Sequence, residues 1–188
     1  MDGDLFRHRH RIDSARLTGY DYGSNGIYFV TICTHNRETY FGAVETQHPS
    51  GGETQDVASL RPTAIGQVAI DCWYAIPDHF PFVQLDAFQM MPNHLHGVLW
   101  ICKPDYDDRD GQPNTFGPQR QNLASVIRGY KVGVKKYAMV HGIEFMWQPR
   151  YYDRVVRSPN ELNRIRTYID LNPDKWVDDR ENLQNLYM

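Results

Sequence analysis

The sequence predicts an α+β domain, with antiparallel strands and amphipathic helices that dock on them. Three observations carry this. Residues 82–90 and 94–100 read as strands joined by the short turn Pro92-Asn93, so they pair antiparallel. Residues 27–34 (IYFVTICT) are β-branched and aromatic and apolar on both faces, as a central strand requires. Residues 63–76, 122–141 and 158–171 carry apolar side chains at helical spacing.

The chain of 188 residues is 41% apolar and 13% aromatic, enough to build one core. We read residues 1–25 as an N-terminal arm, 26–178 as the functional domain and 179–188 as a tail. No apolar run approaches the length of a membrane span. The start of the chain, with Arg and His alternating over 7–11, has no apolar core and is not a secretory signal. The three cysteines form no Cys-x-x-Cys pair and read as reduced thiols of a cytosolic (cytoplasmic) protein, each a small core residue. The net charge of −3 hides an asymmetry. Residues 17–118 hold 4 Lys and Arg against 12 Asp and Glu, whereas residues 119–175 hold 11 against 5. The second stretch can present a positive surface on an acidic protein.

Each element has a local reason. Residues 42–62 are rich in Gly, Ser, Thr and Gln and read as a loop or a weak hairpin. In 63–76, Ile65, Val68, Ala69, Cys72, Trp73 and Ile76 line one face, and Pro77 ends the helix. Residues 103–119 mix Pro, Gly and Asn with four aspartates and read as a solvated loop. In 122–141, Leu123, Val126, Ile127, Tyr130, Val134, Tyr137 and Ala138 make a buried stripe beside a basic one of Arg128, Lys131 and Lys135. Gly129 and Gly133 each cost that helix about 1 kcal/mol against Ala; a close approach of another backbone would explain them, and so would chance. Residues 146–157 read as extended and carry Arg150, Arg154 and Arg157. Ser158-Pro159-Asn160-Glu161 is a helix start with a capping box, and Pro173 forces the stop.

The strand beginning at His94 organises the rest. Side chains alternate along a strand, so His94 and His96 share a face with Val98 and Trp100, and Leu95, Gly97 and Leu99 take the other. Two imidazoles one pleat apart can both reach one cation; they can equally be bonded to backbone or water. On the last helix Tyr168 and Asn172 lie on one stripe, with Arg164 a turn earlier and Leu162, Ile165 and Ile169 beside it. Two neutral imidazoles and an amide oxygen bind a divalent ion without cancelling its charge, which suits activation of a phosphoryl oxygen. Imidazole favours Mn over Mg in affinity. A tyrosine one turn away can form a covalent phosphotyrosine. Tyr151 and Tyr152 are rival nucleophiles on composition.

At this point the sequence resembles the HUH single-tyrosine transposases, and more narrowly the REP-associated tyrosine transposases and their insertion-sequence relatives. The resemblance rests on GYDYGSNGIYFVTICTHNRE (19–38), AIPDHFP (75–81), LDAFQMMPNHLHGVLW (85–100), WQPRYYDRVVR (147–157) and ELNRIRTYIDLNPDKW (161–176). It implies a central antiparallel sheet with flanking helices, close to a ferredoxin or RNA-recognition-type fold. It implies His94, His96 and Asn172 as ligands of Mg or Mn, Tyr168 as nucleophile, and single-stranded DNA with a short hairpin as substrate. DNA contacts are expected from Arg128, Lys131, Lys135 and Arg154. In some members the tyrosine serves a second copy and in others its own chain, so a homodimer stays open.

Two other classes compete. A non-catalytic or domesticated nucleic-acid-binding module would keep the basic helix without needing Tyr168 in register with the histidines. A histidine phosphoesterase usually needs two His-x-Thr/Ser motifs, and one histidine pair is present.

Overall fold

The computed structural model describes residues 5–6, 9–10, 20–47, 57–104 and 121–176. In chain order the elements are β1 (Leu5–Phe6), β2 (Arg9–His10), β3 (Gly26–Cys33), β4 (Gly42–Gln47), β5 (Val57–Pro62), α1 (Ala64–Tyr74), α2 (Ile76–His79), β6 (Val83–Met91), β7 (His94–Ile101), α3 (Leu123–Val140), β8 (Tyr152–Val156) and α4 (Pro159–Asp170). The loop expected over 103–119 lies outside the described residues from 105 onward, as do the tail at 179–188 and most of the arm at 1–25.

Four strands form one antiparallel sheet in the order β6-β7-β3-β8. Read along the chain this is β3-α1-β6-β7-α3-β8, the ferredoxin-like pattern, with α4 added. The apolar strand β3 is central, between β7 and β8. The stretch 42–62 contains a paired hairpin, β4 with β5.

The two faces of the sheet carry different layers. Tyr28, Val30, Ile32, Leu95, Leu99 and Ile101 build the larger core with Trp73 of α1 and Val126, Tyr130 and Val134 of α3. Phe29, Val98 and Val156 point the other way and meet Leu162 and Ile169 of α4. Gly97 makes room on the larger-core face: a Cβ there would lie 2.2 Å from the Trp73 ring, which occupies the space over β7. Trp73 is fully buried and stacks on Phe88.

Four local readings are corrected. Pro77 does not simply end a helix; α1 stops at Tyr74, and Pro77 sits in the first turn of the short α2, where its missing N–H costs nothing. Residues 20–25 are not arm: Tyr22 is buried against Tyr20 and Tyr28, and the Leu123 N–H donates to its carbonyl. Cys33 is buried, but Cys102 is exposed and is no core residue. Gly129 and Gly133 face side chains rather than backbone, the Phe80 ring and Cys72 Sγ.

Candidate functional site

The register places Cys33 opposite His94 and Thr31 opposite His96, on the α4 face of the sheet. Both histidines are about 1% exposed. Their Nε2 atoms are 3.1 Å apart. His94 Nδ1 lies 2.7 Å from Asn93 Oδ1, and His96 Nδ1 lies 2.9 Å from Thr31 Oγ1.

The partners fix the proton on His94. Asn93 Nδ2 donates to the Arg37 carbonyl at 3.1 Å, which orients the amide and leaves Oδ1 to face the ring. An amide oxygen only accepts, so His94 carries its proton on Nδ1 and presents a lone pair at Nε2. The Thr31 hydroxyl both donates and accepts, so it supports either tautomer of His96. With Nε2–H, His96 donates to His94. With Nδ1–H, two lone pairs converge on one point, as cation ligands do.

Burial pushes the His94 imidazole well below its usual pKa, helped by His96 and Arg37, and the Asn172 side chain works in the opposite direction. Burial, then Arg37, lowers His96 to about 3. Both rings are therefore neutral near pH 7 and can act as ligands.

Asn172 stands next to the pair, its side chain acting on the His94 ring. It does not lie in the helix, which ends at Asp170, but in the turn that follows, with its N–H donating to the Ile169 carbonyl. The residue is 1% exposed and its side chain bears on the His94 ring, yet its buried Oδ1 makes no hydrogen bond of ordinary geometry. Buried amide oxygens are almost always bonded, so this one fits a missing electrophile. Two nitrogens that each bind an ion at about 2.1 Å in adjacent positions stand about 3.0 Å apart, close to the separation found here. Among the described residues no three His, Cys, Asp or Glu side chains converge.

Tyr168 comes from α4. Ser158 caps the helix by accepting from the Glu161 N–H at 3.2 Å, while Glu161 reaches back one residue beyond the cap, to the Arg157 N–H. Leu162 and Ile169 are buried on the sheet, and Ile165 packs beside them. The Tyr168 hydroxyl then lies 3.3 Å from His96 Nε2, and its ring meets Phe29 and His96 edge-on. The residue as a whole is 38% exposed. Of its rivals, Tyr151 packs against the larger core on the far face. Tyr152 shares the histidine face through its pairing with Thr31, and its ring lies 6.2 Å from Phe29.

The basic residues do not gather in one place. Arg154 pairs with Phe29 across the sheet, on the histidine face, and is bonded to Glu161 at 2.7 Å. Arg128, Lys131 and Lys135 lie on α3, against the opposite face. Arg128 is exposed. Lys131 donates to the Gln148 and Arg150 carbonyls, and Lys135 to that of Phe145. Burial lowers Lys131 to about 8. Sequence reasoning missed Thr31, Asn93 and Arg37. Asn93 had a signal, its place beside His94 in the motif; Thr31 and Arg37 needed the register and the loop.

No protein-family model matches the chain. An uncharacterized protein of Haemophilus influenzae is 34% identical over 179 residues, covering 91% of this chain and 93% of its own length. A REP-associated tyrosine transposase of Escherichia coli is 27% identical over 99 residues, 52% of this chain and 48% of that protein. A solved structure of a REP-associated tyrosine transposase bound to a REP hairpin superposes with a TM-score of 0.52 at 18% identity, over 87% of this chain and 82% of that one. The antiparallel sheet with flanking helices is thus the fold of that structure, and about half of the chain resembles the Escherichia coli protein in sequence. No helix among the described residues is long and apolar enough to cross a membrane.

Proposed function

We propose, for a chain that belongs to one family with the Haemophilus influenzae protein and has the fold of a REP-associated tyrosine transposase, a metal-dependent endonuclease and strand transferase acting on single-stranded DNA next to a hairpin. The observation that carries this is the approach of the Tyr168 hydroxyl to His96, the neighbour of a His94 ring on which the buried Asn172 side chain bears. A pure binding module has no need of that juxtaposition.

His94, His96 and Asn172 would hold Mg or Mn. Bound there, the cation supplies Lewis acidity toward a phosphoryl oxygen. The chain's own residues do the rest. Asn93 and Thr31 orient the two rings. The Tyr168 oxygen attacks phosphorus, the bond from phosphorus to the 3′ oxygen breaks, and the 5′ phosphate stays on the tyrosine. The phenol gives its proton to solvent, and the departing 3′ oxygen takes one up. A 3′-OH of another strand reverses the step without ATP, because the phosphoester bond is conserved.

Arg154, on the histidine face and 59% exposed, is offered as a contact to the DNA backbone. Arg128 is exposed on α3 and suits a hairpin stem reaching round the edge. Lys131 and Lys135 add positive potential from amines already committed to carbonyls.

The test incubates the protein with end-labelled hairpin DNA and Mn or Mg, separates products on a denaturing gel and maps any adduct by mass spectrometry. An adduct on Tyr168 with a free 3′-OH is expected. Tight hairpin binding with no adduct would point to the binding module, and an adduct on Tyr151 or Tyr152 to a different nucleophile.

A further inference from the structure

We propose that Asp86, Arg166 and Trp100 form a clamp that sets the roll of α4 on the sheet and so aims Tyr168 at the histidine pair. Asp86 and Arg166 are positioning residues, and the proposal rests on the reading of Tyr168 as nucleophile.

The helix needs such a device. It docks through Leu162, Ile165 and Ile169 onto Phe29, Val98 and Val156. Apolar contact is non-directional, so this stripe holds the helix down without fixing its rotation. Tyr168 sits on the rim of the stripe. A roll of about 20° moves an atom about 6 Å from the axis by about 2 Å, enough to lose the contact with His96. A misplacement of about 1 Å can cost about 100-fold in rate.

Arg166 opposes that roll. Its Nε donates to Asp86 Oδ1 at 2.8 Å and its Nη2 to Oδ2 at 2.6 Å. This two-pronged geometry is directional in a way that a lysine could not match. Arg166 and Tyr168 are two residues apart, on opposite flanks of the docking stripe. Pinning one flank to β6 therefore fixes the other over β7.

The carboxylate is itself held still. Trp100 Nε1 donates to Oδ2 at 2.9 Å and the Ala87 N–H to Oδ1 at 2.7 Å. A bulge puts Asp86 there. The pairing of β6 with β7 passes from Leu85 opposite Leu99 to Phe88 opposite Gly97, so Asp86 and Ala87 together face Val98. Bulges re-aim side chains in this way beside functional sites. At the other end of α4, Glu161 bonds Arg154 of β8. The helix is thus tied to both edge strands of the sheet. The two carboxylates are equally covered, at 14% and 15% exposed, and the Asp86 tie differs in its arginine, 41% exposed against 59% for Arg154.

The test compares wild type with Asp86→Asn, Arg166→Gln, Arg166→Lys and the Asp86→Asn/Arg166→Gln double variant, each carrying 3-fluorotyrosine at 168. Folding is checked by circular dichroism, hairpin affinity by titration, cleavage by single-turnover rate, and the tyrosine by its fluorine resonance. We expect the single-turnover rate to fall about 10- to 100-fold in Asp86→Asn and Arg166→Gln, with the double variant no worse than either. Hairpin affinity should stay within about twofold, and the fluorine resonance should shift or broaden. Arg166→Lys, which keeps the charge and loses the fork, should fall in between, and it carries the test if Asp86→Asn does not fold. A folded variant with unchanged rate and resonance overturns the clamp, as does a rate loss matched by an equal loss of hairpin affinity. If wild type does not cleave at all, the functional reading fails on its own; a moved resonance then still supports the clamp and an unmoved one overturns it.

Discussion

The Tyr168 hydroxyl lies 3.3 Å from His96 Nε2 within one chain. The tyrosine and the histidine pair therefore meet without a second copy. The substitution Tyr168→Phe removes one oxygen and that contact, a change worth about 1 kcal/mol in stability. Cleavage should stop while hairpin binding and the fold persist. Mixing Tyr168→Phe protein with a His94→Ala/His96→Ala chain separates the two geometries: a tyrosine serving its own chain predicts no activity in the mixture, and recovered cleavage would mean it serves its neighbour.

Calorimetric titration with Mn should detect one bound ion per chain in wild type and none in His94→Ala/His96→Ala. Asn172→Leu should weaken binding at least tenfold, because it removes the buried oxygen proposed as a ligand. Wild-type affinity in Asn172→Leu would remove Asn172 from the ligand set.

The clamp also sets an acid limit. The Arg166 guanidinium, with help from Trp100 and the Ala87 N–H, holds the Asp86 carboxyl down at about 2 despite its partial burial. The unfolded chain binds this proton near the usual value of 3.8, so between those values unfolding takes up a proton. The contribution is complete above about pH 4 and disappears as pH falls through about 2; it amounts to at most about 2 kcal/mol, less what solvent screens. Urea unfolding of wild type and Asp86→Asn should show a stability gap that is constant above about pH 5 and closes toward pH 2.

Gly97→Ala should be strongly destabilising, because its Cβ would overlap the Trp73 ring in a fully buried site. Overpacking of this kind costs about 1–3 kcal/mol. Trp73→Phe in the same chain should restore part of the loss. Additive losses in a double-mutant cycle would show that the two residues do not compete for space.

The cations should separate by role. Arg154→Gln should reduce the salt dependence of hairpin binding by about one unit of slope. Lys131→Met should chiefly lower the unfolding midpoint, since its amine ties down the Gln148 and Arg150 carbonyls. A full unit of slope lost in Lys131→Met, with stability intact, would make it a phosphate contact instead.

Much of this protein is written locally. The period of two that puts His94 and His96 on one face, the Ser158 cap, the Pro173 stop and the 3.6-residue period that separates Tyr168 from the docking stripe are all decided by neighbours within a few residues, so the sequence alone determines them. The apolar run of β3 likewise marks a strand buried on both sides. What only the tertiary structure decided depends on partners far apart in the chain. Thr31 supports His96 because two strands pair in one register, 65 residues apart. Arg37 bears on both histidines because its carbonyl is tied to Asn93, 56 residues away. Lys131 and Lys135 read as a free basic stripe on a helical wheel, but the segment that folds back over α3 takes their amines. Asp86 faces Arg166 only because of a bulge, an irregularity that no period in the sequence announces. A local pattern fixes which face a side chain occupies; what waits on that face is set by the packing of the whole chain.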